Sequence, residues 1–309
     1  MDPRLKNLSY SSLLTLHKCP RKLQLYKLNA KIEQPEDAPQ SLTFQYGHTV
    51  GKGIQDVLEH KTIEQCLWEA FIEWEVELDS SNPKQNKSFW GALAAITQFH
   101  SMYSNGYLEG YELVQYQGKP ACELSFVIHL PDGFKYRGFV DAVLEHKISG
   151  KVLVLEAKTT SATSVNPAQY KNSAQAIGYS IVLDALFPAL SSYEVLYLVY
   201  QTKSESFVQL PFEKSYYSRA LWIRELLLDI ECIKMYEESS IYPMHGESCY
   251  EFFRECEYLQ TCTLSTERLT TPLSDEDAQK LEDQLAEFQI HVTLDQLIQS
   301  QLAKEGTPE

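Results

Sequence analysis

The sequence predicts an α/β fold in which a central mixed β-sheet is flanked by helices. Residues 136–158 consist of two extended segments separated by Ser149-Gly150, which is the pattern of a β-hairpin. Residues 193–200 form a continuous apolar segment, as expected of a strand that is buried on both faces. Segments with helical periodicity precede and follow these strands, and they would cover the two faces of the sheet.

The first part of the chain, residues 1–120, is predicted to be an N-terminal helical region. Residues 9–29 have the pattern of a helix that is capped by Ser9 or Ser11 and is broken or restarted at Pro20. Three further helical patterns, separated by polar loops at 31–41 and 79–88, cover residues 44–60, 62–78 and 89–109. The glycines of the first of these, 44–60, suggest close packing of its backbone.

Strands are predicted to begin at residue 121, and residues 121–238 form the core domain. The strands are 121–130, the two arms of the hairpin, 193–200 and an alternating outer strand at 204–210. A helix starting at Asn166-Pro167 should continue to about Leu186. A long helix at 213–238 should bury the face that carries Leu221, Leu228 and Cys232.

Two segments follow the core. Residues 239–265 form a cysteine-cluster segment, and residues 266–309 form an acidic tail with an amphipathic helical segment at 274–304. The net charge of −15 argues mildly against strong non-specific affinity for nucleic acid. No apolar segment approaches the ~20 residues that span a bilayer, and the N-terminus has no signal-peptide pattern. We therefore expect a soluble, cytoplasmic protein without membrane contact.

The hairpin carries the candidate chemistry. Side chains alternate along a strand, so Glu156 and Lys158 should share one face, and Asp141 on the partner strand can reach that face. Carboxylates hold Mg²⁺ or Mn²⁺, and a nearby lysine can orient water and offset developing charge at a phosphate. The simpler interpretation is a surface hairpin whose charged side chains are merely solvated.

With the Gln175-x-x-x-Tyr179 sequence on the helix that follows, the D-x14-E-x-K pattern resembles the PD-(D/E)XK nuclease superfamily. More narrowly, it resembles the RecB/AddB-type exonucleases, the CRISPR adaptation nucleases and their phage relatives. The resemblance covers residues 9–265 and rests on the order and spacing of several motifs together. It implies a restriction-endonuclease-like core.

The resemblance also implies site residues. Asp141 and Glu156 would be metal ligands, joined by the Ala157 carbonyl, and Lys158 would be the catalytic lysine. Gln175 and Tyr179 would lie near the scissile strand; the alternative is that they only pack and hydrogen-bond within the helix.

Two further metal ligands are implied less directly. Glu123 matches an acid that relatives often carry on the first strand, although it could be an ordinary edge carboxylate. Relatives usually place a metal-binding histidine four residues after a glycine. That position here is Gly51, whereas His48 directly follows Gly47, so His48 is either a ligand or points elsewhere.

Seven cysteines in a chain without a secretory pattern are not expected to form disulfides. Cys66, Cys122 and Cys232 occur singly in apolar surroundings, which is typical of buried free thiols. In the iron–sulfur relatives, one N-terminal cysteine and three near the end bind a 4Fe–4S cluster, and the matching residues here are Cys19, Cys249, Cys256 and Cys262. The first spacing of the terminal run is longer than usual, and a Cys₄ zinc site remains the alternative.

Taken with these residues, the resemblance implies a Mg²⁺- or Mn²⁺-dependent DNA exonuclease that acts on single strands or duplex ends and contains a structural 4Fe–4S cluster. Its partners would be DNA and a helicase or recombination protein, because the sequence contains no helicase motif. Two alternatives remain: a DNA-binding accessory module with a silent nuclease site, and a structure-specific endonuclease.

Overall fold

A mixed β-sheet separates two layers of helices. The computed structural model describes residues 1–29, 42–76, 87–188, 190, 192–251, 254–270 and 272–304. The predicted loops at 31–41 and 79–88 lie almost entirely outside these residues.

The described helices are α1 (Pro3–Lys6), α2 (Tyr10–Lys18), α3 (Pro20–Lys27), α4 (Leu42–Leu58), α5 (Ile63–Ile72), α6 (Phe89–Ser104), α7 (Ala168–Lys171), α8 (Ala174–Val182), α9 (Tyr216–Ser239), α10 (Thr266–Leu269), α11 (Asp275–Ala286) and α12 (Leu294–Lys304). The strands are β1 (Asn7–Leu8), β2 (Tyr111–Leu113), β3 (Gln115–Tyr116), β4 (Lys119–Pro120), β5 (Cys122–His129), β6 (Lys135–His146), β7 (Val152–Thr160), β8 (Tyr193–Gln201), β9 (Ser206–Lys214), β10 (Tyr250–Glu251), β11 (Arg254–Glu255) and β12 (Ile290–Thr293).

Within the described residues, eight strands form the central sheet. Its main order is β12-β5-β6-β7-β8-β9, and the short strands β1 and β2 also pair with β6. The β12–β5 and β7–β8 pairs are parallel, whereas β5–β6, β6–β7 and β8–β9 are antiparallel. This arrangement confirms the predicted mixed sheet, with β7 and β8 in its interior.

Each face of the sheet packs against its own helices. On one face, alternate residues of β7 and β8 such as Val154 and Tyr197 pack against α8 and α9. On the other face, the intervening residues such as Leu155 and Leu198 pack against α4, α5 and α6. Because consecutive side chains of a strand point to opposite faces, the continuous apolar segment at 193–200 supplies both cores.

The N-terminal helices follow their sequence signals. Ser9 caps α2 through a reciprocal hydrogen-bond pair with Ser12, and Pro20 starts α3 rather than ending the helical region. Gly53 of α4 allows a close approach, since a Cβ there would lie 2.4 Å from Ile96 Cγ1. These features confirm the predicted cap, the restart and the tight packing of one glycine.

Three segments outside 121–238 contribute strands to the sheet. Strands β1 and β2 pair with β6, so the sheet begins before residue 121. The prediction of one helical segment over 274–304 is wrong at β12, which pairs in parallel with β5. Ile290 and Val292 are buried while His291 and Thr293 are exposed, a period of two that the longer amphipathic pattern on either side obscured.

Two predicted details of the helices are also wrong. The segment starting near Asn166 divides into α7 and α8, with a break at Asn172 and Ser173. In α9, Leu221 and Leu228 are exposed, and Cys232 is only partly buried. The buried face instead carries Trp222, Ile223, Leu226, Ile230 and Ile233. Apolar residues occur all round this helix, so the apolar pattern alone predicted a face rotated by about one residue from the buried one.

The C-terminal segment is joined to the core by a buried polar network. Gln301 of α12 donates to Asp184 Oδ2, and Arg219 of α9 donates to Asp184 Oδ1 at 2.6 Å. The Tyr193 hydroxyl donates to the same Oδ1 at 2.8 Å. One buried carboxylate thus connects α12 and α9 to strand β8. Among the described helices, none is long and apolar enough to cross a membrane.

Candidate active site

Three carboxylates lie on three adjacent strands near the point where the β6–β7 hairpin opens. Glu123 is on β5, Asp141 is on β6, and Glu156 is on β7. The β5–β6 ladder pairs Cys122 with Ala142 and Leu124 with Val140, so Glu123 and Asp141 occupy opposing positions between these pairs. The sheet therefore brings together the three acids predicted from the sequence.

The opening of the hairpin exposes backbone groups of β7. The β6–β7 ladder ends at the Ala142–Leu155 pair, whereas β7 continues to pair with β8 as far as Thr160. In place of a ladder bond, the Ala157 amide donates to Asp141 Oδ2 at 2.9 Å. The N–H and C=O of one extended residue point to the same side of a strand, so the Ala157 carbonyl also faces this gap.

Lys158 pairs with the buried acid of the site. Its ammonium donates to Glu156 Oε1 at 2.5 Å, while Glu156 is only 1% exposed. Burial acts to lower the pKa of Lys158, but the charges of Glu156 and Asp141 outweigh it, so this pKa is raised. The lysine therefore carries a positive charge beside the carboxylates at neutral pH.

The two acids of the hairpin are destabilised in their charged forms. Burial raises the pKa of Asp141 well above its ordinary value, and the Glu156 carboxylate adds to this effect. Burial also raises the pKa of Glu156, against the lowering effect of Lys158. Glu123 contributes to the rise at both positions. Three carboxylates thus share one ammonium, an excess of negative charge that favours a cation.

Gln175 and Tyr179 form a pair on α8, beside the hairpin acids. Gln175 Nε2 donates to the Tyr179 hydroxyl at 2.7 Å, and Gln175 also lowers the pKa of Glu156. Tyr179 is 5% exposed and contacts Phe126 edge-to-face at 5.9 Å. The Gln175–Tyr179 pair therefore packs against the sheet and also lies close to the acids.

His48 lies on helix α4. Its imidazole is exposed and stacks on Phe44, with ring centroids 6.3 Å apart. Across the described residues, it makes no hydrogen bond or ion pair with the carboxylates. Its role as a metal ligand stays a prediction.

Sequence reasoning missed three residues of this region. Gln55 of α4 donates to Glu123, and the phenols of Tyr10 and Tyr170 are close enough to Lys158 to interact with it electrostatically. Tyr10 begins α2, far from Lys158 in the chain, whereas Tyr170 lies in the short helix α7 that follows β7. No local motif marks them.

The family model of the PD-(D/E)XK nuclease superfamily matches residues 7–263. The chain belongs to this superfamily. The predicted superfamily and α/β fold are thereby confirmed, whereas the narrower RecB/AddB-type resemblance stays a prediction. Membership suggests a metal-dependent nuclease.

Other comparisons add little to this nuclease assignment. Among solved structures, "Crystal structure of SSO0001" is similar at 13% identity and a TM-score of 0.31, over 82% of this chain and 97% of that chain. At that TM-score the likeness supports no argument. No curated protein matches the sequence significantly.

The carboxylate site fits the divalent cation on which such nucleases usually depend. Glu156 Oε2 is buried and accepts no hydrogen bond from the described residues, an arrangement that a cation would satisfy. The donors of the three acids and of the Ala157 carbonyl are oxygens, which suit Mg²⁺ or Mn²⁺. Over the part of the chain that is described, no three His, Cys, Asp or Glu side chains already stand in a metal-binding arrangement.

Three of the predicted cluster cysteines lie near the fourth, Cys262. Burial raises the pKa of Cys262, and Cys19, Cys249 and Cys256 are close enough to add to the rise. Arg21, two residues after Cys19, donates to the carbonyls of Cys262 and Leu264 at 3.0 and 2.6 Å. Four thiols would suit an iron–sulfur cluster or zinc. Among the described residues, however, the cysteines do not surround a common point.

Proposed function

We propose that this nuclease is a Mg²⁺- or Mn²⁺-dependent DNA exonuclease that hydrolyses phosphodiester bonds in single strands or at duplex ends. The observation that supports it best is the convergence of Glu123, Asp141, Glu156 and Lys158 at the opening of the hairpin. Three acids and one lysine together suit phosphodiester hydrolysis. A binding module without nuclease activity would not need this combination.

Asp141, Glu156, Glu123 and the Ala157 carbonyl would hold the divalent ion. When bound, this ion would polarise the scissile phosphate and lower the pKa of an attacking water. Lys158 would orient that water and offset negative charge that develops on the phosphate. The Asp141–Ala157 hydrogen bond fixes the carboxylate relative to the β7 backbone, so the site is held in place before substrate binds.

Gln175 and Tyr179 would position the substrate strand next to the acids. Their mutual hydrogen bond limits the rotation of both side chains, and the contact of Tyr179 with Phe126 anchors the pair to the sheet. The proposed role of this pair is therefore substrate handling rather than proton transfer.

The proposal includes a structural 4Fe–4S cluster on Cys19, Cys249, Cys256 and Cys262. The supporting observation is their mutual proximity, together with the hydrogen bonds from Arg21 that join α3 to residues 262–266. Zinc on the same thiols is the competing assignment. We further propose that the protein acts in the cytoplasm with a helicase or recombination partner.

The nuclease proposal is tested with anaerobically purified protein and end-labelled linear DNA, with closed-circular DNA as the matched substrate. We expect Mg²⁺- or Mn²⁺-dependent release of nucleotides from linear DNA only. Cleavage of the circle would instead indicate an endonuclease. Binding of both DNAs without cleavage under either metal would overturn the proposal in favour of an accessory module.

The cluster proposal is tested by metal analysis of the same preparation. We expect about four iron atoms per chain and a broad absorption near ~400 nm. Replacing any of the four cluster cysteines by serine should remove the iron, whereas replacing Cys66, the buried control, should not. Stoichiometric zinc without iron would overturn the iron–sulfur assignment, and iron retained in Cys19→Ser would remove Cys19 from the ligand set.

A further inference from the structure

Glu123 occupies a backbone conformation that glutamate rarely adopts. Its φ is 47°, in the left-handed region, directly opposite Asp141 in the β5–β6 ladder. A non-glycine residue in this region is strained, and such strain persists only where surrounding contacts impose it. The Glu123 side chain is exposed, so packing does not hold it in one direction.

A buried amide supplies the missing constraint. Gln55 of α4 is 4% exposed, and its Nε2 donates to Glu123 Oε1 at 2.8 Å. This bond joins helix α4 to strand β5 across 68 residues of sequence. A hydrogen bond from a buried, rigid donor to a carboxylate is worth more than one between exposed groups.

The residues of α4 next to Gln55 do not bind Glu123, because they have no side chain or pair with another residue. A Cβ at Gly51, one turn before Gln55, would have no atom within 4 Å, so this part of the helix leaves open space. The ammonium of Lys52 pairs with Asp56 at 2.6 Å. Within the residues described, Gln55 is therefore the group seen to hold the Glu123 carboxylate.

We propose that Gln55 is a positioning residue that directs Glu123 toward Asp141 and Glu156, so that Glu123 completes an all-oxygen cation site. This inference rests on the proposed metal-dependent activity. Gln55 engages one oxygen of Glu123 and leaves the carboxylate its second oxygen for the cation. Without Gln55, the exposed side chain would rotate into solvent, and the site would keep only the two hairpin acids.

The test is calorimetric titration of the full-length protein with MnCl₂ in the absence of DNA. Gln55→Leu keeps the size of the side chain and removes the donor, and we expect Mn²⁺ affinity to fall about tenfold. In a Glu123→Gln background, Gln55→Leu should cause no further loss, because its effect passes through Glu123.

The matched control is Gln45→Leu. Gln45 lies on the same helix, is 2% exposed and donates to the Glu73 carbonyl at 3.1 Å. Its replacement should lower thermal stability while Mn²⁺ affinity stays at the wild-type value. If Gln55→Leu does not fold, Gln55→Glu preserves the shape, repels Glu123 and should weaken Mn²⁺ binding at least as much.

Two outcomes would overturn the inference: wild-type Mn²⁺ affinity in the folded Gln55 variant, or equal effects of Gln55→Leu with and without Glu123. Either could occur while Asp141→Ala still abolishes Mn²⁺ binding and the wild type still cleaves linear DNA. In that case, the proposed function would stand and only the role of Gln55 would fall. Failure of the wild type to bind Mn²⁺ and to cleave DNA would overturn both.

Discussion

The carboxylate site and the cysteine region differ in how far apart in the chain their members lie. The acids and Lys158 come from neighbouring strands within residues 123–158, and the ladder of the sheet places them. Cys19, by contrast, contacts the Pro243 carbonyl, 224 residues away. The first site depends on strand register, whereas the second depends on side chains that join the N-terminal helices to residues 243–266.

The two regions should therefore respond differently to substitution. A substitution at the carboxylate site changes charge at the end of a paired ladder, and backbone hydrogen bonds continue to hold the strands. A substitution in the cysteine region removes contacts that close a very long loop, whose closure is costly in entropy. We therefore expect the former to affect mainly activity and the latter mainly folding.

The largest expected effect is that of Lys158→Ala. Loss of the ammonium should lower cleavage about 100-fold or more, because charge on the phosphate is no longer offset. The protein should still fold, since the lysine side chain is 36% exposed and Glu156, whose pKa burial already raises, can take up a proton when its partner is lost. Lys151→Ala, on the same hairpin but paired with Glu194 at an exposed position, is the control and should remain active. Activity within about tenfold of wild type, ~1.4 kcal/mol of barrier, would exclude Lys158 as the catalytic lysine.

Arg21→Ala tests the opposite side of the comparison. Arg21 is 9% exposed and donates to Cys262, Leu264 and Thr266. Its removal should lower the free energy of unfolding by about 3 kcal/mol, as measured by urea denaturation, and leave activity per folded molecule unchanged. Lys22→Ala, at the next position, serves as the control. A normal unfolding free energy with reduced activity would contradict the proposed division of roles.

Tyr179→Phe should have a smaller effect on activity. It removes the hydrogen bond with Gln175 but keeps the aromatic contact with Phe126. We expect about a fivefold loss of activity, ~1 kcal/mol, together with near-normal stability. The decisive measurement is kcat/KM alongside the thermal midpoint. A large fall in that midpoint without loss of activity per folded molecule would show that the pair serves packing alone.

The smallest effect concerns the attachment of α2 just before Cys19. His17 Nε2 lies 2.9 Å from both oxygens of Asp229 on α9, and this hydrogen bond raises the pKa of His17. Protonated His17 therefore adds stability that is fully present below its unfolded pKa of about 6.5. That stability is lost as pH rises through the raised folded pKa.

The measurement is the thermal midpoint of wild type and His17→Gln from about pH 5.5 to about pH 8.5. The difference between the two proteins should be largest at the acidic end and should shrink as pH rises. A constant difference, or one that grows with pH, would contradict this pairing.

The sequence by itself predicted the sheet, its central hairpin and the convergence of Asp141, Glu156 and Lys158. These features depend on the alternation of side chains along strands and on a short turn, both of which are local. The break at Pro20 and the cap at Ser9 are equally local, and the structure confirms them.

Tertiary structure decided what local periodicity leaves ambiguous. The buried face of α9 depends on which surface it meets, so Trp222 and Ile230 are buried while Leu228 is not. Strand β12 exists because the edge of β5 offers unpaired backbone groups to a segment that helices flank on both sides. The contact of Gln55 with Glu123 follows from the packing of α4 on the sheet, which no motif encodes. Side-chain contacts between distant segments form only once burial has fixed how helices and strands pack.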